Sequence, residues 1–185
     1  MSKGRLFVIS GASGVGKSTV LKHLMEQRSN LLFSVSATTR PPRPGEVDGV
    51  HYYFISHEQF QEMIRQDAFL EYDAHAANYY GTPLDQLEEK LSRGDVILDV
   101  EPAGSKIVKE KRPDAILIFV MPPSVEELER RLRSRGDTNE EQIAMRMERA
   151  IWEMDQRNWY DHVVVNDVLE DCVKELAAII GPENK

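Results

Sequence analysis

Residues 5–28 read RLFVISGASGVGKSTVLKHLMEQR, and this stretch decides the fold. The apolar run from Leu6 to Ser10 predicts a buried strand, and apolar residues on one helical face predict an amphipathic helix from Ser18 to Arg28. Between them, residues 11–18 match G-x-x-x-x-G-K-[ST], the pattern of a phosphate-binding loop between a strand and a helix. The order of strand, glycine-rich loop and helix predicts a P-loop fold.

Triphosphate chemistry explains the residue types of this loop, although a glycine-rich turn with a solvated lysine is the alternative. Glycines let backbone N–H groups face a phosphate, and the following helix N-terminus adds partial positive charge. We expect Lys17 to reach the β- and γ-phosphates and the Ser18 hydroxyl to coordinate Mg²⁺. The residues predicted to bind the triphosphate are Gly11, Ala12, Ser13, Gly14, Val15, Gly16, Lys17, Ser18 and Thr19.

Strand-like and helix-like segments alternate along most of the chain. Apolar, β-branched runs at Val96 to Val100, Ala115 to Met121 and His162 to Val165 are typical of buried parallel strands, and amphipathic patterns separate them. This alternation predicts an α/β domain whose parallel sheet is flanked by helices. The predicted core comprises residues 1–30, 83–124 and 157–185.

Two segments interrupt the alternation. Residues 31–82 contain short strand-like pieces around the turn-rich sequence TTRPPRPGEVDG, which predicts an inserted subdomain of mostly antiparallel strands. Residues 125–156 form an arginine-rich pair of helical patterns, and we expect a second insert there, hinged near Gly136.

The composition excludes several classes of function. With 31 acidic and 23 basic side chains among 185 residues, a net charge of -8, the chain is not expected to bind long nucleic acids. Its apolar runs are far shorter than the roughly 20 residues that cross a bilayer, and its N-terminus lacks the pattern of a secretory signal. We expect a cytoplasmic protein, and the sequence leaves a monomer and a homo-oligomer equally open.

Cysteine and histidine usage argues against disulfides and structural zinc. The single cysteine, Cys172, excludes an internal disulfide and is expected to be a buried, inert thiol. The five histidines include no pair four residues apart and have no companion cysteines, so a structural zinc site is not expected.

Four longer segments carry further information. They read SVSATTRPPRPGEVDGVHYYF at 34–54, FLEYDAHAANYYGT at 69–82, ILDVEPAG at 97–104 and RLRSRGDTNEEQIAMRM at 131–147. In order and spacing they resemble the segments of guanylate kinases, over essentially the whole chain. The resemblance implies phosphoryl transfer from Mg-ATP to GMP, and to dGMP, in purine nucleotide metabolism and GMP recycling. It also implies a P-loop core, a GMP-binding subdomain at 31–82 and a mobile lid at 125–156.

The same resemblance implies a role for each matching residue. The residues that would hold the GMP phosphate are Arg40, Arg43, Tyr52 and Tyr80, and those that would read guanine are Ser36, Glu71 and Thr82. Glu46 also falls in the GMP site. Asn166 falls on the adenine side, and the alternative for it is a cap of the final helix. Catalysis would depend on Lys17, Arg40 and two arginines that close from the lid, Arg135 and Arg146.

The residues expected at the acceptor phosphate suit that role chemically. Arg40 and Arg43 lie in a proline-rich loop, and a guanidinium group binds two phosphate oxygens at once. The alternative is a pair of exposed loop arginines. Tyr52 and Tyr80 offer hydroxyl groups on rigid rings, although strand tyrosines are commonly just packed.

Glu71 is the acid expected to select guanine. Guanine presents N1–H and its 2-amino group as adjacent donors, which one carboxylate accepts together and which adenine lacks. Hydroxyl groups at Ser36 and Thr82 would face O6 and N7. The alternatives are an outward-facing strand carboxylate for Glu71 and a helix cap for Thr82, which precedes Pro83.

Two acids stand at the end of the strand VIL. A strand end in an open α/β sheet delivers side chains to the ligand crevice, so Asp99 would orient Mg²⁺ or its waters. Glu101 follows two residues later on the same face, where it would reach a magnesium-bound water or the guanine amino group. In the alternative, one of the two is structural.

Spacing separates the arginines of the second insert. Glutamates four residues earlier explain Arg130, Arg131 and Arg133 as helix-surface pairs, and Glu153 explains Arg149 in the same way. Arg135 and Arg146 have no acid three or four residues away. These two arginines are the ones for which the resemblance to guanylate kinases implies a role in the lid.

Three positions depart from the family pattern, and two alternative functions stay open. Ala103 stands where glutamine is usual, Tyr72 where tryptophan is usual and Ala77 where glycine is common. The alternatives are a kinase of this scaffold for another phosphorylated acceptor and a guanylate-kinase-like module that binds a protein. Glu71 argues against the first, and the intact Lys17 argues against the second.

Overall fold

Nine strands and seven α-helices make up the described part of the chain, residues 3–75, 77–134 and 139–182 of a computed structural model. The strands are β1 (Leu6–Gly11), β2 (Leu32–Phe33), β3 (Ala37–Thr38), β4 (Tyr53–Phe54), β5 (Phe69–His75), β6 (Asn78–Pro83), β7 (Val96–Asp99), β8 (Ile116–Met121) and β9 (His162–Val165). The helices are α1 (Lys17–Gln27), α2 (His57–Arg65), α3 (Leu84–Arg93), α4 (Pro102–Lys111), α5 (Val125–Ser134), α6 (Glu140–Asp155) and α7 (Leu169–Ile180).

The first sheet has the strand order β2-β7-β1-β8-β9, and all neighbouring strands in it are parallel. Every residue of β1 is buried, because helices cover both faces of the sheet. Phe7 and Ile9 pack with residues of α1 and α7, whereas Leu6 and Val8 pack on the opposite face with α3 and α4. The predicted α/β core with its parallel sheet is confirmed.

The second sheet has the order β4-β3-β6-β5 and is mostly antiparallel, as predicted. Strand β6 runs antiparallel to both of its neighbours, and only β3 and β4 run parallel. Helix α2 covers this sheet, where the ring of Phe60 stacks on that of Phe69 with a centroid separation of 4.3 Å.

This insert was expected to begin at residue 31, and the structure differs there. Leu32 and Phe33 pair with Val96 and Ile97 at the edge of the first sheet, whereas Ala37 and Thr38 belong to the second. The chain passes from the first sheet to the second between Phe33 and Ala37. The residues on both sides of this point are strand-like, so the composition does not show where the insert begins.

The segment 125–156 supplies α5 and α6. Leu128, Leu132 and Ala150 are fully buried in the cluster that contains Ile9 of β1, so parts of both helices pack against the core. Gly136, the expected hinge, lies outside the described residues. Cys172 is buried in α7, as expected. Among the described helices, none combines the length and hydropathy that a membrane crossing requires.

Candidate active site

The loop between β1 and α1 has a backbone that glycine adopts readily. Gly14 and Gly16 have φ angles of 86° and 93°, in the left-handed region. A Cβ atom at Gly16 would also lie 2.9 Å from Nδ2 of Asn166, which donates a hydrogen bond to the carbonyl oxygen of Val15 at 2.8 Å. The glycines therefore permit the tight turn that makes Lys17 the first residue of α1.

A cavity opens over this loop, and we call it the loop cavity. It is lined by residues 11–18 and, from α6, by Met145, Arg146, Arg149 and Glu153. The N-terminus of α1 lies at this cavity, where helix N–H groups without intrahelical partners and the helix dipole favour an anion. The loop cavity is therefore suited to a phosphate chain.

A second cavity adjoins the first, and we call it the acidic cavity. Its lining includes four carboxylates, those of Glu71, Asp73, Asp99 and Glu101. Lys17, His75 and Glu101 line both cavities, so a group bound in one lies next to a group bound in the other.

Lys17 is paired with an acid at the boundary of the two cavities. Its Nζ lies 2.5 Å from Oδ1 of Asp99. Because β1 and β7 are adjacent parallel strands, the loop after β1 and the last residue of β7 reach the same edge of the sheet. The topology therefore brings the loop lysine and the strand-end carboxylate together.

Glu71 is a buried carboxylate of β5, with 7% of the residue exposed. The Thr82 hydroxyl donates to its Oε1 at 2.6 Å, and a Cβ atom on Gly104 would lie only 3.0 Å from its Oε2. Burial raises the pKa of Glu71, and the neighbouring charge of Asp73 adds to the rise. The outward-facing alternative is excluded for Glu71.

The capping alternative for Thr82 is excluded as well, because Pro83 is the N-cap of α3 and the Thr82 hydroxyl binds Glu71.

Three residues with hydroxyl groups, Ser36, Tyr52 and Tyr80, also line the acidic cavity. The two tyrosine rings meet edge to face with centroids 6.1 Å apart. Burial raises the pKa of Tyr52, which keeps its hydroxyl protonated and able to donate.

Arg40 is held by an acid of its own loop. Its Nη1 and Nη2 donate to the two carboxylate oxygens of Glu46 at 2.6 and 2.7 Å, and Glu46 also accepts from the backbone N–H of Arg43 at 2.7 Å. The hydrogen bond from Arg40 lowers the pKa of Glu46 to about 2. The Arg40 guanidinium lies 4.9 Å from the centre of the Tyr52 ring, which places it beside the acidic cavity.

Comparison with known proteins points to one family. The family model described as guanylate kinase matches residues 3–183. The chain is 50% identical over 184 residues to a guanylate kinase of Thermus thermophilus, covering 99% of this chain and 83% of that one. It is 49% identical over 182 residues to one of Synechococcus, covering 98% and 84%. The chain belongs to the guanylate kinase family. A crystal structure of guanylate kinase from Anaplasma phagocytophilum has the same fold, with a TM-score of 0.76 at 30% identity over 97% of this chain and 86% of that one.

Most residues predicted from the guanylate kinase pattern line one of the two cavities. Those in the acidic cavity are Ser36, Tyr52, Glu71, Tyr80, Asp99 and Glu101, and those in the loop cavity are residues 11–18 and Arg146. The others stand back from the linings: Thr82 supports Glu71, Arg40 and Glu46 lie beside Tyr52, and Asn166 supports the loop from behind. Arg43 and Thr19 are exposed. Arg135 lies outside the described residues.

One predicted ion pair of α5 was wrong, and the predicted pair of Arg149 in α6 is confirmed but is not its only contact. Arg130 pairs with Glu127, three residues earlier, at 2.7 Å rather than with Glu126. The expected pair of Arg149 with Glu153 exists, but Arg149 also reaches Glu101 with a separation of 2.5 Å and lines the loop cavity. The pair with Glu153 was expected to explain Arg149 as a residue of the helix surface, but Arg149 lies at the candidate site.

Sequence reasoning missed Asp73, His75 and Glu153. Asp73 and His75 lie on the same face of β5 as Glu71, because residues two apart in a strand point the same way. The alternation of the strand could therefore have predicted that both line the cavity. Glu153 is only 2% exposed and accepts a hydrogen bond from the Ser13 backbone N–H at 2.7 Å. Its spacing in α6 gave no sign of that contact, because Ser13 is distant in the sequence.

Proposed function

We propose that this protein is a guanylate kinase that transfers the γ-phosphoryl group of ATP to GMP, giving ADP and GDP, with dGMP as a second acceptor. The observation that carries the proposal is Glu71, a buried carboxylate that opens into a cavity sharing Lys17 with the loop cavity. One cavity suits a triphosphate and the other suits a guanine base, and they adjoin.

Selection of guanine follows from the contacts of Glu71. One oxygen is oriented by the Thr82 hydroxyl, and the other faces the space that Gly104 leaves open. A carboxylate held in this way accepts the N1–H and 2-amino donors of guanine together. Adenine offers only an acceptor at N1, so the buried carboxylate would lack a partner.

The phosphate of GMP would lie toward the tyrosine end of the acidic cavity. Glu46 and the Pro41 carbonyl oxygen together use three of the five N–H groups of Arg40. The remaining fork, Nε–H with one Nη2–H, is able to bind two phosphate oxygens. Hydroxyl groups of Tyr52 and Tyr80 would complete this site.

Transfer requires two polyanions to approach each other. The acceptor phosphate is already anionic near neutral pH, so no general base is needed, and catalysis consists of alignment and charge neutralisation. In our proposal, Lys17 turns from Asp99 to the transferring phosphate. Arg146 supplies further positive charge from α6, and Arg135 does so from its own segment.

The donor set also fits Mg²⁺, which prefers oxygen ligands and usually binds one or two protein groups together with phosphates and water. The Ser18 hydroxyl lies in the first turn of α1 at the loop cavity, and Asp99 ends the adjacent strand β7. Ser18 would bind the ion directly and Asp99 through water. When bound, Mg²⁺ would neutralise charge on the β- and γ-phosphates. In the described residues, no cluster of three His, Cys, Asp or Glu side chains forms a protein-only metal site.

An acceptor panel tests this function. ADP formation from Mg-ATP is followed with GMP, dGMP, AMP, CMP, UMP and ribose 5-phosphate offered separately. We expect rapid turnover with GMP and dGMP and at least about 100-fold lower kcat/KM with AMP, because a site built to bind specific donors rejects analogues that lack them. Equal turnover of AMP and GMP would refute the guanine assignment. Absence of transfer to every acceptor would favour the protein-binding alternative.

A further inference from the structure

Arg149 joins the two cavities through a pair of carboxylates. Its Nε donates to Oε1 of Glu153 at 3.0 Å, and its Nη2 donates to Oε2 of Glu101 at 2.5 Å. Glu153 lines the loop cavity, and Glu101 lines both cavities. The guanidinium therefore lies at the end of the loop cavity that is nearest the proposed acceptor.

Glu153 fixes one end of this arrangement. Its side chain is only 3% exposed, and its Oε2 accepts from the Ser13 N–H of the phosphate-binding loop at 2.7 Å. A buried carboxylate is costly unless its oxygens are paired, and here Arg149 and Ser13 occupy one oxygen each. Removing Arg149 from Glu153 would therefore be unfavourable, so this contact is expected to persist.

The other end is loosely held. The Glu101 side chain is 57% exposed, so water is able to replace Arg149 at little cost. The hydrogen bonds found in the described part of the chain use two of the five N–H groups of Arg149, which leaves three for another acceptor. Arg146 lies one turn earlier on the same face of α6 and lines the same cavity.

We propose that Arg149 binds the γ-phosphate of the nucleoside triphosphate, because Glu153 anchors it over the phosphate-binding loop while its contact with exposed Glu101 is free to exchange. A terminal phosphate would replace the Glu101 carboxylate on Nη2, and Glu153 would keep Nε. The three remaining N–H groups allow a two-point contact with phosphate oxygens. The inference deepens the proposed function by adding a donor-side arginine.

Equilibrium binding of ADP and of ATP, each with Mg²⁺ and without GMP, tests the proposal. Calorimetric titration of Arg149→Gln should show ATP binding weakened about 10- to 100-fold, the range for loss of a hydrogen bond to a charged group, and ADP binding changed less than about 3-fold. Arg149→Lys keeps the charge but not the fork and should fall between. Arg130→Gln, an equal charge change on the exposed face of α5, should bind both nucleotides as the unmodified protein does.

The outcomes separate a phosphate contact from a structural one. Equal weakening of ATP and ADP binding in both Arg149 variants would assign Arg149 a structural role and overturn the proposal, as would unchanged binding of ATP. A selective loss of ATP affinity in a protein that does not phosphorylate GMP would support this proposal and refute the proposed function. Thermal unfolding of each variant checks that the fold is retained.

Discussion

Replacing Glu71 by glutamine tests the base-reading site with a minimal change of shape. The amide oxygen of the new side chain is able to accept from Thr82 as Oε1 does now at 2.6 Å. The amide nitrogen would then take the position of Oε2, next to Gly104. There its N–H group would face an N–H group of guanine. The substitution therefore keeps the volume of the side chain but replaces one hydrogen-bond acceptor by a donor.

The expected loss follows from those contacts. Two opposed donors in a buried site cost about 1–3 kcal/mol, and the remaining hydrogen bond loses the assistance of a full charge, which contributes about 1 kcal/mol more. A total near 3 kcal/mol corresponds to about a 100-fold fall in kcat/KM for GMP. Varying ATP at fixed GMP should leave the KM for ATP within about 2-fold, since the loop cavity is untouched.

The measurement is steady-state ADP formation with GMP varied, and Glu110→Gln on the exposed surface of α4 is the matched control. A loss below about 5-fold for Glu71→Gln would refute the assignment, because a single lost charged hydrogen bond already costs more. Thermal unfolding gives a second readout. The pKa of Glu71 is higher in the folded protein than in the unfolded chain. As the pH rises above the unfolded pKa, the unfolded chain loses this proton more readily than the folded protein does, so the free energy of unfolding falls. The variant should therefore melt higher than the unmodified protein at pH 7, and the difference should vanish at pH 4.

Four further predictions follow from other contacts. Lys17→Met should lower transfer at least about 100-fold with every acceptor, because a preorganised positive charge at the transferring phosphate is lost; ADP formation with GMP and dGMP measures this. Glu46→Gln should raise the KM for GMP while leaving that for ATP unchanged, since Arg40 loses its bidentate partner. Ala77→Gly should raise the melting temperature, because Ala77 has a φ of 66° and this left-handed conformation costs a non-glycine residue about 1 kcal/mol. Burial raises the pKa of the Cys172 thiol to about 11, so a thiol reagent at pH 8 should label it only after unfolding.

The elements of the core could be predicted because their signals are local. The helix expected at Ser18 to Arg28 is observed at Lys17–Gln27, and the strand expected at His162 to Val165 is observed with those bounds. Burial on both faces makes the central strands β1 and β8 largely apolar, so a short window of sequence is enough to find them. Strand β9 was also expected to be buried, and this was wrong, because β9 lies at the edge of the sheet and only Val164 of its four residues is buried. The glycines of the phosphate-binding loop are equally local, since the turn itself requires them.

Contacts between distant segments could not be predicted in the same way. Glu153 binds the backbone of Ser13, and Arg149 binds Glu101, although each partner is far away in the sequence. A pair with Glu153, four residues later, explained the presence of Arg149 without a ligand. An arginine has five N–H groups, however, and one ion pair leaves several of them for other partners. The sheet to which Leu32 and Phe33 belong is likewise set by pairing with β7 rather than by their own residue types.

The identity of the products tests the central claim most directly. ATP and GMP are mixed with the protein and Mg²⁺, and the phosphorus NMR spectrum is followed to completion. Our account predicts that GDP and ADP appear in equal amounts, and that ATP without GMP is stable over the same period, because an anionic acceptor rather than water receives the phosphoryl group. Formation of ADP with inorganic phosphate instead of GDP would contradict it.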